Sequence, residues 1–323
     1  MKLQQLRYIR EIQRNGYNIS LTSDKLFTSQ PGISKQVALL EDELGVQIFE
    51  RQGKHLSGPT EIGKQIIHEA SQMLEIEERI KALSASVTSP DMGRLNVYTT
   101  NAIAKFLLPQ TVQHFMKKYP KVALHMGTIE PETRGNALPI GPYDFSIVAQ
   151  DIDEQTDLAI LPAYKWSLAL IIPSDHPLAK QQNITLEQLA NEKLISYELK
   201  STGRSAIDSA FAKAGLTPNY VVTAMDAEVI KEYVSLGVGL GIIASVATHQ
   251  ISDSITVRSL EGLIPDCYAW ICYNKNIYLQ HYMYEFIEKF APHLTRTIIQ
   301  NTAHLSKKAM MQYFDERQLM TYQ

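Results

Sequence analysis

The chain contains 323 residues, 45% of them hydrophobic, and carries a formal net charge of −3 at pH 7. This length exceeds what one hydrophobic core usually serves, so we expect two or three domains, each with a substantial core. No apolar run approaches membrane length and the polar start does not resemble a signal peptide, so a cytoplasmic protein without a membrane partner is expected.

Two short helices are predicted before residue 28. The first is indicated by apolar residues at helical spacing and ends at Asn15-Gly16; these residues are Leu3, Leu6, Tyr8, Ile9 and Ile12. The second is indicated by Ile19, Leu21, Leu26 and Phe27, with Ser20 or Thr22 near its start. Two such helices directly before a third predict a helix-turn-helix arrangement.

The third helix begins near Ser29 and has a polar first turn. Thr28 or Ser29 can cap it, and Pro31 suits its first turn. Its apolar stripe is Ile33, Val37, Leu40 and Leu44, and the acidic run Glu41-Asp42-Glu43 is placed at the far end, away from the contact. Gln30, Ser34 and Gln36 can bond to base edges or phosphates, and Lys35 can neutralise a phosphate. The alternative is an ordinary amphipathic helix with a good cap.

After Gly45 the sequence predicts a β-hairpin wing with a basic tip at Arg51-Gln52-Gly53-Lys54-His55. Arg51 and Lys54, with His55 as a further candidate, would grip the DNA backbone. Up to Lys64 there are nine Lys or Arg and seven Asp or Glu, a net +2 that leaves −5 in the remainder. This modest bias supports DNA binding only together with the helix motif.

Three motifs in this region resemble one protein family over Met1 to Gly63. They are Ser29-Gln30-Pro31-Gly32-Ile33-Ser34-Lys35-Gln36, Leu40-Glu41-Asp42-Glu43-Leu44-Gly45 and Phe49-Glu50-Arg51. The chain is similar here to LysR-type transcriptional regulators. Later motifs match the CysB/Cbl branch, which regulates sulfur assimilation and cysteine biosynthesis: His176-Pro177-Leu178, Thr202-Gly203-Arg204-Ser205, Ala214-Gly215-Leu216-Thr217-Pro218, Asp226-Ala227-Glu228-Val229-Ile230-Lys231 and Phe290-Ala291-Pro292-His293-Leu294-Thr295-Arg296.

A long helix is predicted from Glu61 to Ser86, about 39 Å in length. Its apolar seam includes Ile66, Met73 and Ile80, and no neighbouring segment offers a matching helix, so a partner chain is the natural candidate. Packing against its own domain is the alternative. In the family that the chain resembles, the matching linker helix dimerises.

Beyond the turn-rich break at Val87 to Gly93, short strands alternate with helices, which predicts parallel sheets with helices on both faces. The predicted strands are Leu95–Thr99, Val122–Met126, Phe145–Val148, Trp166–Ile172, Leu194–Tyr197, Val221–Thr223 and Tyr268–Cys272. The predicted helices run to about Tyr119, from Arg204 to Ala214, from Asp226 to Leu236 and from Leu279 to Phe290. We interpret Cys267 and Cys272 as inert core thiols on opposite faces of a strand.

The predicted fold is multidomain α+β. It comprises a winged helix-turn-helix (1–60), a dimerising linker helix (61–88) and a two-lobed α/β effector domain like periplasmic binding proteins (92–323). Lobe I is about 92–163 and 268–292, and lobe II is about 164–267. The tail from 293 to 323 is weakly patterned and is expected to cover another subunit or to be partly mobile.

Two loops are candidate ligand sites, because ligands bind at the carboxyl ends of strands and near helix N-termini in open α/β sheets. They are Thr99-Thr100-Asn101 and Ser201-Thr202-Gly203-Arg204-Ser205. The alternative for each loop is simple helix capping. The resemblance implies that hydroxyl groups of these loops bind a small anion or an acylated serine between the lobes.

The chain departs from the branch pattern within this pocket. Thr100 and Thr202 match, but Ala102, Ile103 and Ala149 stand where Thr, Gln and Thr are expected. Either other polar residues compensate, or the pocket takes a more apolar or larger effector. The predicted effector-binding residues are Thr100, Asn101, Thr128, Gln150, Ser201, Thr202 and Arg204.

Other classes of protein fit less well. Gly237-Val238-Gly239-Leu240-Gly241 follows a helix and precedes a strand, the reverse of a dinucleotide loop, so we interpret it as a helix stop. The nine His residues show no metal-ligand spacing, and no catalytic triad is evident, so neither a cofactor nor an enzyme is expected. A two-lobed solute-binding protein would not need a helix-turn-helix.

The sequence and the resemblance together predict a ligand-responsive transcriptional regulator of sulfur metabolism. Its expected partners are double-stranded promoter DNA, RNA polymerase and a second copy of the chain, as a homodimer or homotetramer. The expected effector is a small anion such as sulfate, thiosulfate, O-acetylserine or N-acetylserine. Two symmetry-related recognition helices would make the DNA site an interrupted inverted repeat.

Overall fold

The structure, a computed structural model, describes residues 1–53, 55–88, 91–128, 144–149, 152, 157–181, 183–199, 201–249, 251–314, 319 and 321–322. Within these residues the chain divides into two compact units, Met1–Thr88 and Ser89–Gln323. In this part of the chain, no helix is long and apolar enough to cross a membrane.

The first unit is the winged helix-turn-helix that the sequence predicts, followed by the long helix. Its elements are α1 (Leu3–Arg14), α2 (Ile19–Lys25), α3 (Gln30–Leu44), β1 (Phe49–Gln52), β2 (His55–Pro59) and α4 (Glu61–Thr88). Its core joins buried side chains from α1, α3, the wing and α4, among them Ile9, Ile33, Ile48 and Ile67. The apolar stripes of three helices therefore meet in one core.

The second helix differs from its prediction at both ends. The side chain of Asn18, not of Ser20 or Thr22, caps it by accepting the N–H of Leu21 at 3.0 Å. The helix ends at Lys25, so that Phe27 lies beyond it with a φ of 50°. A left-handed residue cannot continue a right-handed helix, and this conformation forms the turn into α3.

The second unit contains two sheets. Its strands are β3 (Met92–Thr99), β4 (Lys121–Thr128), β5 (Phe145–Val148), β6 (Leu158–Trp166), β7 (Leu168–Pro173), β8 (Leu194–Tyr197), β9 (Tyr220–Ala224), β10 (Leu240–Ala244), β11 (Ile255–Ser259), β12 (Cys267–Asn274) and β13 (Thr321–Tyr322). The lobe I sheet has the order β13-β6-β12-β5-β3-β4, and the lobe II sheet has the order β11-β7-β10-β8-β9. The chain leaves lobe I between β6 and β7 and returns to it through β12.

Helices cover both sheets. They are α5 (Pro109–Lys118), α6 (Leu186–Ala190), α7 (Thr202–Lys213), α8 (Ala227–Ser235), α9 (His281–Phe290), α10 (Arg296–Thr302) and α11 (Lys307–Tyr313). A π-helical turn, Ile103–Leu107, lies between β3 and α5. Gly237 stops the chain after α8 with a φ of 72°, as a helix stop requires, and β10 follows it.

Two predictions about the strands were wrong. The run from Trp166 to Ile172 is not one strand, because Ser167 separates β6 of lobe I from β7 of lobe II. The sheets are also mixed rather than parallel: β12 runs antiparallel to β5 and β6, and β7 runs antiparallel to β10 and β11. These strands are where the chain changes lobe, and such connections lack the helical crossover that parallel pairing needs.

The C-terminal tail packs on its own lobe, and its expected contact with another subunit stays a prediction. Ile299, Met310 and Phe314 are buried in the same core as the lobe I sheet. β13 pairs in parallel with β6, and the ammonium of Lys307 lies 4.9 Å from the centre of the Trp270 ring. The tail therefore completes lobe I.

The two cysteines are buried thiols on opposite faces of β12, as predicted. Cys267 belongs to the large core of the second unit, and Cys272 belongs to a smaller cluster on the other face. Burial raises the pKa of the Cys267 thiol to about 12 and also raises that of Cys272. Both are therefore unreactive at neutral pH.

Candidate DNA-binding surface and effector cleft

The first turn of α3 presents polar side chains to solvent. Ser29 caps the helix by accepting the N–H of Gly32 at 3.3 Å, which selects Ser29 over Thr28 as the cap. Gln30 is exposed, and its amide donates to the Ser20 hydroxyl of α2 at 2.7 Å. This bond between two exposed side chains holds the Gln30 amide at the end of α3 that would enter a DNA groove.

The remaining predicted contact residues lie along the same helix. Pro31 and Lys35 are exposed, and Ser34 and Gln36 are partly exposed. Ile33, Val37 and Leu40 are buried on the opposite face, as the sequence predicts, whereas Leu44 is exposed because α3 ends there and Gly45 turns away with a φ of 70°. A polar edge and an apolar face are therefore separated over the length of α3.

Glu41 lies at the far end of α3, as the sequence predicts, but its side chain is buried. It is 3% exposed, and its Oε1 accepts the N–H groups of Ile48 at 2.8 Å and Phe49 at 3.2 Å. Its Oε2 accepts a hydrogen bond from Arg51 at 2.8 Å. One carboxylate thus ties α3 to the start of the wing.

This bond changes the interpretation of Arg51. The Arg51 side chain is 44% exposed but forms a salt bridge with buried Glu41, so its first role in the structure is to hold the wing. The wing turns at Gly53, which has a φ of 63°. Lys54 lies outside the described residues, and its proposed phosphate contact stays a prediction.

Helix α4 carries two different apolar faces. Ile67, Ala70 and Leu74 are buried against the helix-turn-helix, and Gly63 approaches Ile48 so closely that a Cβ there would lie 1.9 Å from its carbonyl oxygen. A second face, the outer stripe, is exposed and consists of Ile62, Met73, Ile76, Ile80 and Leu83. The sequence had merged these two faces into one seam.

The predicted dimerisation residues are therefore not equivalent. Ile66 is partly buried and packs on the core of its own domain, so a dimer contact is not needed to explain its side chain, and its dimerisation role stays a prediction. Met73 and Ile80 are exposed and belong to the outer stripe. Packing of α4 on its own domain and an exposed apolar stripe occur together, on different sides of the same helix.

In lobe I the predicted effector residues lie at the carboxyl ends of β3 and β4. Thr100 follows β3, and its hydroxyl accepts the N–H of Ile103 at 3.4 Å, which makes it a helix cap as well as a candidate ligand. Thr128 ends β4 opposite Thr99, and both Asn101 and Thr128 are exposed. Gln150 lies outside the described residues.

In lobe II the candidate loop opens α7. The hydroxyl of Ser201 accepts the N–H of Arg204 at 3.2 Å and so caps the helix. Thr202 is partly exposed, and its hydroxyl makes no hydrogen bond to any residue that the structure describes. At the N-terminus of α7, Ser201 therefore caps the helix, and the next residue, Thr202, has a hydroxyl that is available to a ligand.

Arg204, a predicted effector ligand, is committed to the interior of lobe II. Its Nε donates to both carboxylate oxygens of Asp208, at 3.0 and 2.9 Å, and its Nη1 donates to the carbonyl of Tyr197 at 3.2 Å. Its guanidinium stacks 3.6 Å from the centre of the Tyr220 ring. In this structure Asp208 and Tyr220 hold the guanidinium, and a role of Arg204 in effector binding stays a prediction.

A charged cluster joins the two lobes and was missed by the sequence analysis. Glu228 of α8 in lobe II bonds to Lys105 of lobe I at 3.1 Å and to Lys231 at 2.9 Å. Both ammonium groups lie over the Phe106 ring, at 5.2 and 5.5 Å from its centre. Residues 105 and 228 are distant in sequence, so only the fold reveals the cluster.

The cluster carries more positive than negative charge. Lys231 is 9% exposed, and two ammonium groups share one carboxylate. Burial alone would raise the pKa of Glu228, but hydrogen bonds from Lys231 and Lys105 outweigh burial and hold that pKa below its usual value. A residual positive charge at the junction of the lobes favours an anion nearby.

Of the three residues that depart from the branch pattern, Ile103 is buried in the core. Ala102 and Ala149 are partly exposed and provide no polar side-chain atom. The loss of hydrogen-bonding capacity in the cleft therefore concerns the alanines most directly.

Comparison with known families agrees with both halves of this description. Residues 3–64 match the bacterial regulatory helix-turn-helix of the lysR family, and residues 88–295 match the LysR substrate binding domain. The chain belongs to the LysR family of transcriptional regulators.

Within the LysR family, the chain is similar to the regulators CysB and Cbl. The chain is 42% identical to the transcriptional regulator CysB of Haemophilus influenzae, covering 94% of each chain. It is 35% identical to the regulator Cbl of Escherichia coli, over 89% of this chain and 92% of Cbl. The resemblance to the CysB/Cbl branch is thus confirmed, as is the expectation of a regulator rather than an enzyme.

The fold has a solved counterpart. A full-length OxyR variant of Pseudomonas aeruginosa superposes with a TM-score of 0.69 at 23% identity, covering 90% of this chain and 94% of that one. At this identity the match establishes the fold alone.

Proposed function

We propose that this LysR-type regulator controls genes of sulfur assimilation and cysteine biosynthesis in response to a small anionic effector. The similarity to CysB along both domains carries the proposal. A regulator of another pathway with a different effector is the second candidate, favoured by Ala102 and Ala149, which provide no polar side-chain atom to the cleft.

The proposed DNA contacts are Thr28, Ser29, Gln30, Pro31, Ser34, Lys35 and Gln36 of the α3 region, with Arg51 and Lys54 of the wing. Gln30 and Ser34 can read base edges, because amide and hydroxyl groups both donate and accept hydrogen bonds. Lys35, which is exposed, would neutralise a phosphate. Base reading and phosphate binding thus fall to different residues, and they can be separated by experiment.

Replacing Gln30 or Ser34 by alanine should lower sequence specificity, because base contacts distinguish sites whereas phosphate contacts do not. Lys35→Ala should instead weaken binding to all DNA sequences and reduce the slope of affinity against salt by about one counterion. Both effects can be measured as equilibrium affinities, over a series of salt concentrations, for genomic DNA fragments that the wild type binds and for random DNA. If Lys35→Ala altered only base preference, the assignment would be wrong.

The proposed effector is sulfate, thiosulfate, O-acetylserine or N-acetylserine, bound between the lobes. The N-terminus of α7 offers free N–H groups and a positive dipole end, which suit an anion. The unused Thr202 hydroxyl lies there, and the Lys105–Glu228–Lys231 cluster adds positive charge at the lobe junction. Titration calorimetry of the full chain with each of the four ligands tests this assignment. If none of the four ligands produced binding heat, the assignment would be contradicted.

The outer stripe of α4 is the proposed dimer contact, since it is the long apolar face that its own domain leaves uncovered. A homodimer places two recognition helices on an interrupted inverted repeat, and two dimers would form the homotetramer. RNA polymerase is the proposed partner at the promoter.

A further inference from the structure

Phe27 combines two properties that a folded domain on its own does not favour. Its side chain is 97% exposed, and its φ is 50°, in the left-handed region. That conformation is unfavourable for a bulky side chain and is better tolerated by glycine or asparagine. Neither the packing nor the backbone of the described domain explains a phenylalanine at this position.

Tyr17 provides a comparison within the same domain. It is the other non-glycine residue with a positive φ in the described part of the chain, at 64°. Its ring packs in the helix-turn-helix core, with its centre 6.3 Å from that of Phe49. Packing therefore stabilises the unusual backbone at Tyr17, whereas among the described residues no comparable contact exists for the exposed ring of Phe27.

The position of Phe27 indicates what would cover it. It lies two residues before the cap Ser29, on the turn that leads into the polar first turn of α3. In a helix-turn-helix the N-terminal end of the recognition helix enters the major groove. In a complex of that kind, the turn directly before that end would lie beside the DNA.

We propose that Phe27 is a further DNA contact, whose ring packs on apolar DNA surface beside the bases read by Gln30 and Ser34. That surface is a thymine methyl group or the carbons of a deoxyribose, and phenylalanine is suited to thymine methyl groups. This inference rests on the proposed DNA-binding function. It adds an apolar contact to an interface otherwise made of hydrogen bonds and charge.

The variant Phe27→Asn separates DNA contact from folding, because asparagine suits a left-handed backbone. The melting temperature should stay the same or rise, whereas affinity for a bound genomic fragment should fall about tenfold through lost apolar burial. The slope of affinity against salt should stay unchanged, since no charge is lost. Phe27→Tyr should retain binding. Leu44→Asn removes another exposed apolar side chain, at the far end of α3, and should have no effect.

Replacing thymine by uracil throughout the fragment identifies the surface that is contacted. If the ring meets a thymine methyl, uracil should weaken the wild type more than Phe27→Asn; if it meets deoxyribose, uracil should weaken both equally. If the wild type bound the fragment and Phe27→Asn bound it with the same affinity, the contact of Phe27 would be overturned, but the proposed function would not. Failure of the wild-type chain to bind any genomic fragment would overturn the proposed function and, with it, the contact of Phe27.

Discussion

A chain with Met73→Glu and Ile80→Glu should sediment as a smaller species than the wild type and lose at least about a hundredfold in operator affinity. Both side chains are exposed within one subunit and lie on the outer stripe of α4. In a dimer across this stripe, the substitutions would bury unpaired like charges, at a cost of several kcal/mol. Loss of the second recognition helix would then remove the gain from bivalent binding.

Three features make this test specific to assembly. The two positions do not belong to the buried core of the first unit, so the subunit fold should be retained. Ile66→Glu is unsuitable, because Ile66 packs on its own domain. His68→Glu adds a charge at an exposed position away from the stripe and should leave both sedimentation and binding unchanged. A double variant that remains fully assembled would refute a dimer through α4.

Glu41→Gln should lower the free energy of unfolding of the first unit by about 3 kcal/mol, because a buried charged hydrogen-bond network loses its centre. In the wild type the carboxylate accepts two backbone N–H groups and the Arg51 guanidinium. The amide of glutamine has one acceptor oxygen, and its NH2 group would face a cation. The glutamine oxygen could still accept the two backbone N–H groups, but the salt bridge to Arg51 would be replaced by an unpaired NH2 group facing the guanidinium.

Asp42→Asn is the matched control for Glu41→Gln. Asp42 is the next residue along α3 and is exposed, so neutralising it should change stability by no more than about 0.5 kcal/mol. Chemical denaturation of both variants, followed by a probe in the first unit, measures the difference. Equal stability of the two variants would show that Glu41 does not hold the wing.

The sequence predicted local elements well where periodicity and caps agree. The polar first turn of α3, the hairpin turn at Gly53 and the buried strand Phe145–Val148 were all predicted. Each depends on residues close in sequence, such as Ser29 capping the helix that follows it. Local propensity and local hydrogen bonds decide these elements.

The sequence analysis missed features that depend on a partner distant in the chain. Glu41 lies in a charged run that is typical of a solvated helix end, and only the wing, seven residues later, shows that it is buried. Strand β6 contains Pro162 and Lys165 and is buried along most of its length, so it lacks the alternation of a half-buried strand. No local pattern could have divided it from β7 at Ser167.

The candidate cleft was predictable in outline but not in detail. The loops at Thr100 and Thr202 could be predicted from the sequence, because hydroxyl-bearing residues occur there at the end of a strand and the start of a helix. The commitment of Arg204 to Asp208 and Tyr220 required the positions of α7 and β9. The bond between Lys105 and Glu228 could be found only from the positions of both lobes. The two faces of α4 likewise could be separated only from the position of the helix on its own domain, since spacing alone does not distinguish them.

An anion bound between the lobes should control DNA binding by the same chain. The most direct test is operator affinity of the full chain as a function of sulfate, thiosulfate, O-acetylserine or N-acetylserine, for wild type and Thr202→Val. We predict that at least one ligand shifts wild-type affinity, and that Thr202→Val removes the shift by losing a hydroxyl donor while keeping ligand-free affinity. No shift with any ligand, or the same shift in Thr202→Val, would contradict the claim.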